Sequence, residues 1–149
     1  MDRNAKILIP LLLAGLVVAG CAAFLLWRYL DARHDPDGWR EAGKAALRQG
    51  HHDGAGMDDA GCIEGGFVRL GRDGSLGSLD TRLWFKGCLD ESRPGDGTCR
   101  QVPSVHDVRA SGRWTRGFCG ARGFHDHAGC KGLASVLQGH CAALAEAKQ

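Results

Sequence analysis

The sequence predicts an all-α protein in which a single N-terminal transmembrane helix is followed by a small, disulfide-stapled bundle of four or five helices. Three observations support this fold class. An uncharged apolar stretch near the N-terminus is long enough to cross a bilayer. Six cysteines lie beyond it, and the apolar residues around them recur at helical spacing without sustained alternation. With 149 residues, the chain has room for an anchor and one small domain.

The predicted membrane segment runs from Ile7 to Trp27 and carries no charged side chain. As a helix it would be roughly 31 Å long, about the hydrocarbon thickness of a bilayer. Trp27, Arg28 and Tyr29 close it with side chains suited to the headgroup layer. The sequence thus predicts a tail (1–6), an anchor in the lipid bilayer (7–29), a linker (30–37) and a cysteine-rich helical domain (38–149).

Part of the anchor allows a second kind of attachment. The four residues from Val18 to Cys21 (VAGC) resemble the lipobox of bacterial lipoproteins, because they follow a basic start and an apolar run. The resemblance implies that Cys21 carries lipid as the first residue of the mature chain. The chain stays apolar from Ala22 to Trp27, however, where those lipoproteins have a polar tether. We therefore expect an uncleaved signal anchor, with lipidation at Cys21 as the alternative.

Two features disagree about the side of the membrane on which the domain lies. The arginines and lysines after the anchor outnumber those before it, which by the positive-inside rule would place the domain in the cytoplasm. The cysteines favour an oxidising compartment, and we give them more weight. The abundance of Arg, Ala and Gly is typical of a GC-rich bacterial genome. We therefore expect a single-pass protein of the bacterial inner membrane with a periplasmic or extracellular domain.

The cysteines of the domain predict three disulfides. Their number is even and none belongs to a CxxC pair, which argues against zinc-ribbon, thioredoxin-like and haem-attachment motifs. Glycine is abundant, with 23 residues, and large apolar side chains are few, so the bundle needs a source of stability beyond its core. Each disulfide would add about 2–4 kcal/mol. The six cysteines are Cys62, Cys88, Cys99, Cys119, Cys130 and Cys141.

Helical spacing constrains the pairing. Cys130 and Cys141 are separated by close to three helical turns and fall on one apolar stripe with Leu133, Leu137 and Leu144. On an intact helix they would stand roughly 16 Å apart, too far for a disulfide. We expect two bridges that close short loops and one that joins the ends of the domain, namely Cys88–Cys99, Cys119–Cys130 and Cys62–Cys141.

The alternative for part of this segment is a zinc site. Cys119, His125, His127 and Cys130 lie close together in the sequence and are ligand types that zinc accepts. Their spacing matches no common structural zinc site, and it leaves the earlier cysteines without a role. We therefore expect no metal and no other cofactor, with zinc as the alternative.

Two helices are predicted in the first half of the domain. Asp37 would cap a helix that ends near Gln49, with Gly50 as its terminator and His51–Gly56 as a turn. Asp58–Asp59 would start the second helix. Its buried side would be Cys62, Ile63, Phe67 and Leu70, and Gly71–Ser75 would break it.

Three further helices are predicted in the second half, with a loop at 92–103 after the first of them. A stripe between Leu76 and Cys88 marks that helix, in which Gly87 permits close packing. The caps and ends expected for the other two are Ser104 with Asp107 for a helix through Trp114 to Cys119, and Asp126 for a helix to about Ala147.

Composition and motifs argue against several functions. The formal charge of +2 gives no nucleic-acid footprint. No GxSxG, phosphate-binding glycine loop or HExxH motif occurs, and paired cysteines leave no thiol nucleophile, so we expect no enzyme. The sequence favours a membrane-anchored envelope protein with a structural or protein-binding role, for which a partner protein in the envelope can be expected.

One local charge imbalance stands out. Six arginines and two acids lie between Arg93 and Arg122, interleaved with Trp114 and Phe118. Such a pattern is typical of contact with anionic lipid headgroups, cell-wall polymers or an acidic protein face. It is also typical of a solvated helix face with some guanidinium–aromatic packing, which we favour from the sequence.

Overall fold

The computed structural model describes residues 15–27, 30, 36–74, 78–95 and 97–147, and within them the regular elements are helices joined by turns and irregular segments. The predicted tail, part of the anchor (7–14 and 28–29), most of the linker (31–35) and Leu76 lie outside them. This part contains six α-helices, one 3₁₀ helix (Thr98–Gln101), three disulfides and no strand, which confirms the predicted all-α, three-disulfide class. The α-helices are α1 (residues 15–27), α2 (Pro36–Gly54), α3 (Asp59–Asp73), α4 (Ser78–Glu91), α5 (Val108–Gly120) and α6 (Ala128–Glu146).

The chain divides into two compact units, Met1–Arg40 and Glu41–Gln149. In the first unit every side chain of α1 is exposed. Within the described part of the chain, no helix is both long and apolar enough to cross a bilayer. The predicted membrane segment is described only from Gly15 onward.

The core of the second unit lies between α3, α4 and α6, and α5 packs on α6. The stripe predicted for α3 is buried, as is the stripe of α6 from Cys130 to Cys141, because residues three and four apart share a helix face. These predictions are confirmed. The fully buried large side chains at the centre are Leu70, Phe85, Leu89, Leu133 and Leu137.

Glycines set the crossing of α2 and α4. A Cβ added at Gly50 would overlap the carbonyl oxygen of Trp84, and one at Gly87 would overlap the carbonyl oxygen of Leu47. The prediction that Gly50 ends the helix is therefore wrong, because its missing side chain permits a close backbone approach instead. The helix continues to Gly54, so the predicted turn at His51–Gly56 shrinks to its last residues.

The helix caps agree only in part with the predicted ones. Asp58 caps α3 as predicted, since its carboxylate accepts from the Gly61 N–H at 2.8 Å. For α5 the capping carboxylate belongs to Asp107 and not to Ser104. The prediction for α6 is wrong: Asp126 adopts a left-handed conformation (φ 56°) and His127 occupies the cap position.

One of the three predicted disulfide pairings is correct. The structure pairs Cys119–Cys130 as expected, but it joins Cys62 to Cys88 and Cys99 to Cys141. Cys62 and Cys88 lie on the facing buried sides of α3 and α4, which no local spacing encodes. Cys130 and Cys141 share α6 and bond to different partners, as the helix geometry required.

Candidate functional site

A cleft of about 810 Å³ opens between residues 92–106, which follow α4 and which we call the cleft segment, and the C-terminal half of α6. The segment follows an irregular path around the 3₁₀ helix, and its prolines, Pro94 and Pro103, both line the cleft. The disulfide Cys99–Cys141 also lines the cleft and joins its two walls. The disulfide therefore links the 3₁₀ helix on one side of the cleft to α6 on the other.

A buried carboxylate lies at the cleft. Asp59, in the first turn of α3, is 1% exposed and accepts hydrogen bonds from the Ser92 hydroxyl at 2.6 Å and the Gly95 N–H at 3.0 Å. The N–H of Asp59 donates to the carbonyl of Arg93 at 3.2 Å. A negative charge is favourable at a helix N-terminus, and these donors replace lost water. Asp59 thus fastens the start of the cleft segment to α3.

An imidazole lies beside this carboxylate. Nε2 of His140 is 3.5 Å from Oδ1 of Asp59, and it is buried without a hydrogen-bond partner among the described residues. Ser92 and His140 face the same carboxylate oxygen, and the Ser92 hydroxyl donates to that oxygen and not to the imidazole. A nucleophile needs the opposite order, with the base between hydroxyl and carboxylate. The cluster therefore has the geometry of a structural latch.

The other end of the cleft segment is fastened by Gln138 of α6. Its Nε2 donates to the Pro103 carbonyl at 3.3 Å and to the Ser111 hydroxyl at 2.8 Å. Between this contact and the one at Asp59, the disulfide is the covalent link to α6. The segment is thus held at both ends by polar contacts and in the middle by sulfur.

A second candidate surface lies on α5. Arg109, Arg113 and Arg116 are spaced by four and three residues, so they share one side of the helix. All three are exposed, and none has an ion pair or hydrogen bond with another described side chain. The other side of α5 packs inward through residues such as Phe118 and Cys119. We call the three arginines the basic face of α5.

Arg122 does not belong to this basic face. Its guanidinium lies 4.6 Å from the ring centroid of Phe67 and 4.9 Å from that of Phe118, and it donates to the Phe118 carbonyl at 3.3 Å. A guanidinium over an aromatic ring is attracted by the ring's negative face. For Arg122, the predicted guanidinium–aromatic packing is what the structure shows.

The predicted zinc ligands are brought close together but not as a metal site. Cys119 and Cys130 form a disulfide, so neither offers a thiolate. The ring of His127 packs edge-on against Phe124, with centroids 5.6 Å apart, and His125 lies exposed in the same turn. In the part of the chain that the structure describes, no group of three or more ligating side chains is arranged to hold a metal ion.

A third polar cluster fixes α2 to α4 and α3. The Trp84 indole donates to Asp53 at 2.8 Å, and the Arg69 guanidinium lies 4.3 Å over the Trp84 ring. Burial raises the pKa of Asp53, but hydrogen bonds from Trp84 and two neighbouring side chains, with the charge of Arg69, outweigh it. The pKa of Asp53 therefore lies below its ordinary value of 3.8.

Comparison with protein-family models, curated proteins and solved structures finds no match. Sequence reasoning missed Asp59, although a signal existed: it lies three, four and eleven residues before Cys62, Ile63 and Leu70, on the buried side of α3. A charged residue on a buried stripe indicates a polar partner from another element.

Proposed function

We propose that this chain is a membrane-anchored envelope protein with a structural role, whose disulfide-stapled domain lies on the non-cytoplasmic side of a bacterial inner membrane. The basic face of α5 is the contact of the domain with anionic lipid headgroups. One observation carries this proposal. Arg109, Arg113 and Arg116 are exposed on one side of a helix without any anionic partner among the described residues.

Exposed apolar side chains on α1 support the anchor. Leu16 is 70% exposed and Trp27 is 60% exposed, and the other large apolar residues of α1 lie between or near these values. A run of this kind is unfavourable in water and favourable in hydrocarbon. Residues 7–14 extend the same uncharged stretch in the sequence. Cys21 lies within α1 as an exposed free thiol, so lipidation there is the second mode of attachment.

The three disulfides support the compartment. Such bonds persist outside the reducing cytoplasm, and each cross-link restricts the unfolded chain. The longest, Cys99–Cys141, has a sequence separation of 42, which corresponds to about 4 kcal/mol in the chain-entropy account. A chain with 23 glycines benefits from this restriction, because glycine has the most backbone freedom to lose on folding.

Magnitudes favour lipid over a protein partner for the basic face. Each arginine near an anionic surface contributes about 1 kcal/mol, so three give a weak attraction in solution. An anchored domain is already held at high effective concentration near the bilayer, so a weak attraction is enough. A protein interface would need a desolvated apolar centre beside the charges. The large apolar side chain exposed on α5 is Val108 alone among its described residues.

The test is arginine labelling of the full-length protein in two kinds of vesicle. We expect phenylglyoxal to modify Arg109, Arg113 and Arg116 more slowly in vesicles containing phosphatidylglycerol than in phosphatidylcholine alone. High salt should remove the protection, because the Debye length falls to about 3 Å at 1 M. Arg48, exposed on α2, is the internal control. Equal labelling of the three arginines in both kinds of vesicle would contradict the proposal.

The mode of attachment has a separate measurement. For an uncleaved signal anchor, the intact mass of the protein from the membrane fraction should equal that of the full sequence. A chain that starts at Cys21 and carries acyl groups would instead establish the lipoprotein alternative.

A further inference from the structure

The three disulfides differ in access to solvent. Cys62 and Cys88 are both 0% exposed, and in the second bridge Cys119 is 3% and Cys130 is 0% exposed. The third bridge differs from them. Cys141 is 9% exposed, Cys99 is only half-buried, and both line the cleft.

Access matters because thiol–disulfide exchange requires an incoming thiolate to approach a sulfur along the S–S bond. Cys99 is half-buried and lines the cleft, so the cleft is the route by which a reagent in water would approach this bridge. Such a reagent reaches the other two bridges only if the helices that cover them separate.

We propose that Cys99–Cys141 is a thiol-exchange site, at which a dithiol reductant entering the cleft breaks the bond while the domain stays folded. The donor's thiolate attacks Sγ of Cys99, the S–S bond breaks, and Cys141 leaves as a thiolate that takes up a proton. The donor's second thiolate then attacks the donor sulfur of the mixed disulfide and releases Cys99. Two electrons pass from the donor, which ends as a disulfide, and Cys99 and Cys141 end as thiols.

The contacts around the bridge explain why the fold would survive this step. The cleft segment stays fastened to α3 by Asp59, which accepts from Ser92 and Gly95, and to α6 by Gln138, which donates to Pro103. The two buried disulfides, Cys62–Cys88 and Cys119–Cys130, remain intact. Reduction would therefore free the 3₁₀ helix from α6 and widen the cleft while the core stays packed, although the whole domain would lose the stability that the bridge contributes.

The experiment is a reduction time course on the full-length protein in detergent, with dithiothreitol as the probe. Thiols are alkylated at each time, the protein is denatured and fully reduced, and a second alkylating agent of different mass marks the remaining cysteines. We expect Cys99 and Cys141 to take the first label at least about tenfold faster than the other four, because only they are accessible. Cys21 is left out of the comparison, because it lies within the proposed anchor, which the detergent covers. Simultaneous or later appearance of Cys99 and Cys141 would overturn the proposal, because reduction would then follow unfolding.

A pair of variants tests entry through the cleft. Ala145 is exposed and lines the cleft, whereas Ala143 is exposed on the same helix away from the cleft lining. We expect Ala145→Trp to slow the reduction of Cys99–Cys141 severalfold and Ala143→Trp to leave it unchanged. Equal rates in the two variants would overturn the cleft route.

The double variant Cys99→Ser/Cys141→Ser tests whether the opening is local. We expect amide hydrogen exchange to rise most in the 3₁₀ helix while α3 and α4 stay protected, with a native near-UV circular dichroism spectrum. Loss of that spectrum would overturn the proposal, since the bridge would then be required for the fold itself.

Discussion

The core of the domain and the cleft segment are held together by different means. In the core, α3, α4 and α6 bury apolar stripes against each other, and the sealed Cys62–Cys88 bridge crosses its centre. The cleft segment, from Ser92 to His106, has its cysteine half-buried and is held by one open disulfide and the polar contacts of Asp59 and Gln138. The core is a continuous packed surface, whereas the segment is fixed at a few points.

The difference teaches where this glycine-rich chain obtains its rigidity and where it can open. Close backbone approach at Gly50 and Gly87 lets helices pack with few large side chains. A segment fixed at separate points can lose one of them and keep the others. We therefore expect changes in the core to destabilise the whole domain at once, and changes at the segment to open the segment first.

The largest effect should come from Gly50→Ala. Its methyl group would overlap the backbone oxygen of Trp84, and a backbone atom cannot move aside as a flexible side chain can. We expect the free energy of unfolding to fall by about 3 kcal/mol, measured by urea denaturation. The matched control is Gly139→Ala on α6, where nothing lies within 4 Å of an added Cβ. That variant should gain about 0.5–1 kcal/mol, since alanine loses less entropy in a helix. Similar losses in both variants would contradict the close-packing account.

The second effect concerns the latch between core and segment. Asp59→Asn removes the charge that accepts from Ser92 and Gly95, and we expect a loss of about 2 kcal/mol in the free energy of unfolding. Hydrogen exchange should rise first in the segment after α4. Asp58→Asn is the matched neighbour, because asparagine caps a helix as well as aspartate does, and its loss should be only a few tenths of a kcal/mol. An equal loss at the two positions would show that Asp59 does not act as a latch.

A smaller effect should appear with pH at Asp53. Because its pKa is lower in the folded protein than its ordinary value of 3.8, its ionised form adds stability above that pH. The contribution is lost as the pH falls below 3.8 and through the folded pKa. The difference in unfolding free energy between the wild type and Asp53→Asn should therefore be constant near neutral pH and narrow below 3.8.

A control for this titration is Asp90→Asn, in which only an exposed ion pair with Lys86 is lost. Denaturation midpoints at a series of pH values should show little difference from the wild type for this variant. A constant difference at all pH values for Asp53→Asn would show that the lost interaction does not depend on ionisation.

Local pattern in the sequence was enough for the presence of the helices and for the number of bridges, but not for every helix end. The stripe from Cys62 to Leu70 and the stripe from Cys130 to Cys141 are buried as expected, since helical periodicity places such residues on one face whatever lies opposite. The same periodicity excluded a Cys130–Cys141 bond. The even cysteine count predicted three disulfides, and the structure shows all three.

The tertiary structure alone decided which faces meet. A disulfide between Cys88 and Cys99 was predicted because the two residues are close in the sequence. In the structure Cys88 bonds to Cys62 across the α3–α4 contact, and Cys99 bonds to Cys141 of α6. Glycine is common where a helix ends, yet the backbone of Trp84 lies against Gly50, so this glycine marks the place where α2 and α4 cross. The cleft and the Asp59 latch likewise join residues that are distant in the sequence. The spacing of residues along one helix is a local property that the sequence alone determines. Which helix packs against each buried face depends on how all the helices pack together.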